Sequence, residues 1–297
     1  MSVPAAYMGI VIIWSTTPLA IHWSLDGVGF LFGVAMRMTV AMLVCASLVK
    51  LLRIDFPWDK NARWTYLISG VGLYGAMISV YWGAQYVSTG LLSVLNGFLP
   101  MATAIVAALW FKESLWQPGK IIGVLLGVTG LMVIFNPSMG IEAATIWGAI
   151  AVLVSVLFHA VSMLGVKLKG SHVPALSATT GGLFVAVPLY GITWVLSGAQ
   201  WPEVISERNV IAIGYLAVIG SSLGFVLFYY TLKKTSADAV ALITLITPVC
   251  ALLIGHFYNG EALEAQVLWG AAFILLGLST HQWGQRLLNR WALNRTS

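Results

Sequence analysis

Charge is what this sequence has least of. Only 8% of its 297 residues are Asp, Glu, Lys or Arg, against about a quarter in soluble domains, while 59% are hydrophobic. No soluble fold of this length could cover such a composition with polar surface, so the chain reads as a polytopic membrane protein. Cysteine is nearly absent as well. Cys45 and Cys250 both lie inside apolar runs, which leaves no disulfide framework and no thiol metal site. The ten acids are Asp26, Asp55, Asp59, Glu113, Glu142, Glu203, Glu207, Asp238, Glu261 and Glu264. All of them fall in links or at helix ends, so the mid-membrane carboxylate usual in proton-coupled carriers is missing. Paired carboxylates, a metal-ligand cluster, a nucleophile–base set and a phosphate loop are missing too. The expectation is a protein that is not an enzyme and needs no metal or cofactor.

Apolar runs fill the space that charge leaves. A spanning helix needs about 20 apolar residues, and that length picks out ten segments, near 4–22, 29–51, 64–86, 88–111, 119–135, 145–166, 174–197, 209–231, 237–257 and 266–285. The first lacks a charged leader and a convincing cleavage site, and is read as a retained helix. The stretch Tyr81–Glu113 carries Pro100 near its middle and ends on Glu113. Pro248 and Glu261 each follow their counterpart by 148 residues. Behind each acid comes a helix with glycines seven apart, Gly123 and Gly130, then Gly270 and Gly277. The chain is one unit written twice, over 1–138 and 139–297. Five helices is an odd number, so the second unit is expected upside down relative to the first. Thirteen of the fifteen basic residues collect on one side, Arg208 alone on the other, and Arg37 lies within the second segment. By the positive-inside rule both termini face the cytoplasm. The same bias explains the net charge of +5 without any nucleic-acid partner.

Polar groups at depth cost free energy in lipid and should turn inward. The first segment has Trp14, Ser15, Thr16, Thr17 and Pro18; the third sets Tyr74, Ile78, Tyr81 and Gln85 on one face. Ser93, Asn96, Pro100 and Thr103 run along the fourth, and Ser155, His159 and Ser162 along the sixth. Ser222, Phe225 and Tyr229 lie on the eighth, and Thr244, Thr247 and Pro248 on the ninth. These six segments are expected to line one cavity. The candidate substrate-binding set is Trp14, Thr17, Arg37, Tyr74, Tyr81, Gln85, Asn96, His159, Ser222 and Tyr229. Arg37 stands about 12 Å in from a helix end at 1.5 Å per residue. Two roles are open to it: a snorkelling anchor, or a guanidinium fork for a substrate carboxylate. His159 is either a satisfied core histidine or a ligand-contacting, proton-linked group. Pro100 and Pro248 break a helical hydrogen bond in related places and are candidate hinges.

These residues resemble the EamA-like branch of the drug/metabolite transporter superfamily. The likeness is carried by the aromatic-then-small entry Tyr81–Gly90, the mid-helix proline, the acid, the glycine-spaced helix, Trp14-Ser15 and the run around Arg37. It covers essentially the whole chain and implies an all-α carrier of ten transmembrane helices in two inverted five-helix repeats, in a bacterial inner membrane, working as a monomer or homodimer. It also implies alternating access around a central cavity, with the fifth and tenth helices behind. Many bacterial members are similar to exporters of amino acids and related metabolites. Others take choline-like quaternary ammonium compounds, for which an aromatic cage would serve. Small multidrug members carry a glutamate midway along the first helix, and Trp14–Pro18 offers none, which leaves His159 as the route for any proton coupling.

Overall fold

A computed structural model describes residues 2–111, 118–135, 142–224, 227, 231, 234–235 and 237–295. Glu113, Phe225 and Tyr229 lie outside them. Helix is the only regular structure among the described residues: α1 (Val3–Leu25), α2 (Phe30–Leu51), α3 (Lys60–Ala84), α4 (Thr89–Asn96), α5 (Leu99–Phe111), α6 (Pro118–Ile134), α7 (Ala143–Lys169), α8 (Ala175–Leu196), α9 (Glu207–Tyr215), a π-helical segment (Leu216–Leu223), α10 (Ala237–Asn259) and α11 (Ala265–Arg295). Seven of the described stretches are long and apolar enough to cross a membrane, with α4 and α5 counted together as one; α6 is apolar but shorter. Their lengths follow from uninterrupted apolar runs and their ends from polar punctuation. Gly27 and Gly29, with φ of 71° and 81°, turn the chain between α1 and α2 in a region side chains rarely adopt. Asp59 caps α3 by accepting from the Asn61 and Ala62 amides.

Links touch each other in two separate groups, one at each end of the bundle. At one end His172 bonds Asp59 across 3.0 Å, the Ser177 hydroxyl donates to the Asp55 carbonyl at 2.6 Å, and the Tyr66 hydroxyl donates to the Pro57 carbonyl at 2.7 Å. At the other end the Asn209 amide donates to the carbonyls of Trp23 and Asp26 at 2.8 and 2.9 Å. There too the Glu261 carboxylate accepts from the Thr89 backbone at 3.1 Å, from the Thr89 hydroxyl, and from the Asn259 amide at 2.9 Å. Glu261 thus caps α4 from the far half of the sequence, anion on helix N-terminus. Gly255 makes room for it, since a Cβ there would stand 2.5 Å from the carboxylate.

The glycine-spaced helices pack on each other. A Cβ on Gly123 would stand 2.6 Å from the Gly277 carbonyl, and one on Gly130 would stand 2.6 Å from the Gly270 carbonyl. Bare backbone lets α6 and α11 close to van der Waals contact, the membrane substitute for hydrophobic drive.

Pro100 departs from expectation. It lies in the first turn of α5, because the helix breaks at Gly97–Phe98, three residues earlier. A proline cannot donate to Asn96 and crowds its carbonyl, and the chain resolves both by ending α4 there. Pro248 sits inside a continuous α10. The two prolines occupy related positions with different local outcomes.

Two outcomes follow from these contacts. Gly277→Val is expected to lower stability by about 1–3 kcal/mol, read by SDS-titrated unfolding, because the added carbons meet backbone that cannot move aside. The hydrogen bond from His172, with the Ala62 and Asn61 amides adding to it, holds the Asp59 carboxyl below its ordinary value of 3.8. A depressed folded value means the tie is intact at neutral pH and is lost as pH falls through the folded value, below 3.8. The melting difference between wild type and Asp59→Asn should therefore be present at pH 7 and vanish towards pH 3.

Candidate functional site

Arg37 is turned into the bundle and is only 6% exposed. Gly33, one turn earlier, permits this: a Cβ there would stand 2.7 Å from the Ser24 carbonyl and 3.3 Å from the Tyr81 ring. α2 therefore lies hard against the end of α1 and the ring that meets the guanidinium. One Arg37 nitrogen donates to the Tyr81 hydroxyl at 3.5 Å and another to the Ser221 hydroxyl at 3.3 Å. The guanidinium carbon sits 5.9 Å from the Tyr81 ring centre, within cation–π range. The Ser24 hydroxyl donates to the Ile21 carbonyl at 2.7 Å and lies 3.4 Å from the same Tyr81 oxygen. The Arg37 Nε is buried without a partner. Among the described residues no carboxylate pairs with Arg37; the one ion pair is His172–Asp59, at a bundle end.

A second polar set adjoins it. Tyr74 shares a 2.6 Å hydrogen bond with Thr193, and its ring lies 5.0 Å from that of Tyr190. Tyr190 is 1% exposed and donates to the carbonyls of Leu73 and Tyr74 at 3.4 Å. Tyr190 and His159 both lie within electrostatic reach of Arg37. His159 is partly exposed, and no hydrogen bond joins its ring to another described residue.

α1 closes the set from the other side. A Cβ placed on Gly220 would stand 3.8 Å from the Thr17 hydroxyl and 3.9 Å from an Arg37 nitrogen. One placed on Gly224 would stand 3.7 Å from the Trp14 indole nitrogen. Trp14, Thr17, Arg37, Tyr81, Tyr74 and His159 thus gather in one region. Gln85 does not join them: it is exposed and returns its amide to the Trp82 carbonyl at 3.1 Å, at the end of α3. Asn96 gives its amide to Leu92 at 2.9 Å, beside the α4–α5 break. Ser222 turns to Cys45 at 3.5 Å rather than to Arg37.

The π-helical segment is the reason. With one extra residue in its turn, the Ser222 hydroxyl reaches the Ala217 carbonyl five residues back at 3.2 Å, and Ser221 is rotated onto Arg37 instead. Such bulges concentrate at functional sites. Sequence periodicity named Ser222 and missed Ser221. It missed Tyr190 and Thr193 too, although their spacing of three on α8 was a usable signal.

The EamA-like transporter family model matches this chain over residues 4–136 and again over 146–280. The chain belongs to the EamA-like transporter family. An uncharacterized transporter of Archaeoglobus fulgidus is 25% identical over 281 residues, covering 90% of this chain and 94% of its own. A Streptantibioticus cattleyicolor protein named "probable terminal-alkyne amino-acid exporter" is 26% identical, covering 96% and 92%. PagO of Salmonella typhimurium is 23% identical, covering 94% and 92%. A solved crystal structure, 17% identical, superposes with a TM-score of 0.63 over 97% of this chain and 98% of its own, and shares the fold.

In this EamA-like transporter Arg37, Tyr81 and Tyr190 are shielded, while Trp14, Thr17, Tyr74 and His159 are partly exposed. Two clefts indent the bundle. One of about 420 Å³ lies among Phe30, Ile78, Trp82, Trp147, Ile150 and Val154; another of about 180 Å³ lies among Phe32, Met36, Tyr190, Trp194 and Trp201. Both are lined mainly by apolar side chains.

An anchor and a binding group differ in what happens when Arg37 is removed. Taking an unpaired charge out of a dry site removes its desolvation penalty, whereas an anchor's loss destabilises. Arg37→Met is expected to melt at or above the wild-type temperature in detergent without substrate.

Proposed function

We propose that this protein is a ten-span carrier in a bacterial inner membrane, built as inverted units 1–138 and 139–297 with both termini cytoplasmic. It exports amino acids or amino-acid-like metabolites by alternating access. The observation that carries the substrate reading is the buried Arg37 fork, bonded to two hydroxyls and, among the described residues, to no acid. A guanidinium in that state is stabilised most by a planar anion, and a carboxylate fits it with two parallel hydrogen bonds. Tyr74 and Trp14 offer aromatic surface for the rest of the substrate, Tyr81 holds the guanidinium, Thr17 and Ser221 offer hydroxyls, and His159 stands beside them. The name of the Streptantibioticus relative agrees with this chemistry.

The α4–α5 break supports a hinge at Gly97–Phe98, ahead of Pro100, with Pro248 as its counterpart in α10. Glu261 on α4 would latch the halves at one end of the bundle in the closed form. A carrier of choline-like cations is set aside on electrostatic grounds, because Arg37 would repel a quaternary ammonium and already occupies the Tyr81 ring.

Counterflow in proteoliposomes tests the reading. Vesicles loaded with mixed unlabelled amino acids should accumulate labelled phenylalanine or threonine from outside and should not accumulate labelled choline. Arg37→Met should cut that accumulation at least about tenfold, the loss of one charge-assisted pair. Accumulation of choline alone would overturn the proposal.

A further inference from the structure

The groups around Arg37 differ sharply in what hydrogen-bonding capacity they have left. A guanidinium carries five N–H donors. Two are engaged, at the long distances of 3.5 and 3.3 Å, and the Nε donor is buried without a partner. Donor capacity for an anion is therefore open.

For a cation the site offers only neutral acceptors beside a positive charge, with no carboxylate on Arg37 among the described residues. The Tyr81 and Ser221 hydroxyls accept from Arg37, and the Tyr81 ring faces the guanidinium. Thr17, Tyr74 and Tyr190 donate their protons to Ile13, Thr193 and the Leu73 carbonyl, and their oxygens are neutral, so none offsets an added positive charge. The sequence puts every acid in a link or at a helix end. Glu261, the acid tied most firmly to the bundle, is engaged with Thr89 and Asn259 at one end. A free amino acid bound by its carboxylate would hold its ammonium one carbon away, about 4–5 Å from the guanidinium. Like charges at that distance repel strongly where water is scarce.

Accordingly, we infer that the Arg37 site selects by net negative charge, taking monoanionic carboxylates such as 2-hydroxy acids or N-acylated amino acids in preference to zwitterions with a free α-ammonium. This rests on the reading that Arg37 receives a substrate carboxylate. It narrows that reading to a charge class: amino-acid-like compounds whose nitrogen is masked or replaced. A 2-hydroxyl brings no charge, can donate or accept, and fits beside Ser221 and Tyr81 without a counter-ion.

Lactate, alanine and ethylamine make the comparison with a minimal side chain. Lactate has a hydroxyl where alanine has its ammonium, and ethylamine lacks the carboxylate. The full-length protein with ¹³C,¹⁵N-arginine has seven arginines, and Arg37→Met and Arg37→Lys each assign the Arg37 Cζ resonance by its disappearance. Each compound is titrated at pH 7 in detergent. Lactate is expected to move the Arg37 signal at a concentration at least tenfold below that of alanine, with ethylamine silent. Alanine acting at an equal or lower concentration would overturn the charge preference and leave the carboxylate reading standing. A signal that ignores both acids, or that follows ethylamine, would overturn both.

Discussion

A charge held in a dry place without an opposite charge is the constraint on which this structure turns. Moving a guanidinium-sized ion from water into a low-dielectric interior costs several kcal/mol even after the surroundings relax. Two long hydrogen bonds to hydroxyls and one ring face return only part of that. The surrounding architecture is bent to this end. Gly33 lets α2 close on Tyr81, and the π-helical segment brings Ser221 round to the second nitrogen. Natural chains tolerate such a local penalty where function needs it. An unsatisfied group of this kind acts as a standing preference for a ligand that supplies what is missing.

Elsewhere the bundle divides into seams that cannot move and seams that can. α6 against α11 is backbone on backbone, with glycine carbonyls where side chains would otherwise stand. Contacts of that density have no alternative arrangement within a small displacement. The joint between α4 and the link after α10 is of another kind. One carboxylate gathers three donors there, two of them from a helix N-terminus. Polar ties of this sort can be exchanged for water when the end of the bundle opens, at little net cost. A rigid rear pair and a latched front pair are what a rocking mechanism requires.

Much of this was legible in the sequence because the bilayer leaves few choices. Backbone groups in hydrocarbon must be satisfied within each segment, so apolar runs become helices, and helices lie in the stretches where twenty-residue windows put them. The glycines of α6 and α11 could be matched by their shared spacing, since close packing in lipid selects small residues in register. Tyr81 and Arg37 could be named because charge and aromatic hydroxyls at depth must face inward. What could not be read was the local winding. A π turn shifts every later side chain by about 100°, and Gly220-Ser221-Ser222 carries no periodic mark of it. A proline likewise says that a helix bond is lost, without saying whether the helix continues, as through Pro248, or stops, as at Gly97. Gln85 lay on the right face by spacing, but the helix ended beneath it, and an end residue is drawn to cap carbonyls.

The same constraint bears on how such a carrier would be driven. If its substrate is a monoanion, the loaded site has lost its charge and the empty site keeps it, so each cycle carries one net charge across the membrane. An anion leaving an inside-negative compartment is drawn outward by about 2.3 kcal/mol per 100 mV. Export would then need no coupling ion, because the membrane potential alone would sustain a concentration ratio of about fifty at 100 mV. The lack of any acid at depth stops being a gap on that account. A carboxylate placed there to carry protons would pair with Arg37, satisfy the fork, and remove the preference that binds the substrate. On the proposed reading, a buried cation left unpaired among the described residues takes the place such a carboxylate would need, and the membrane potential does its work.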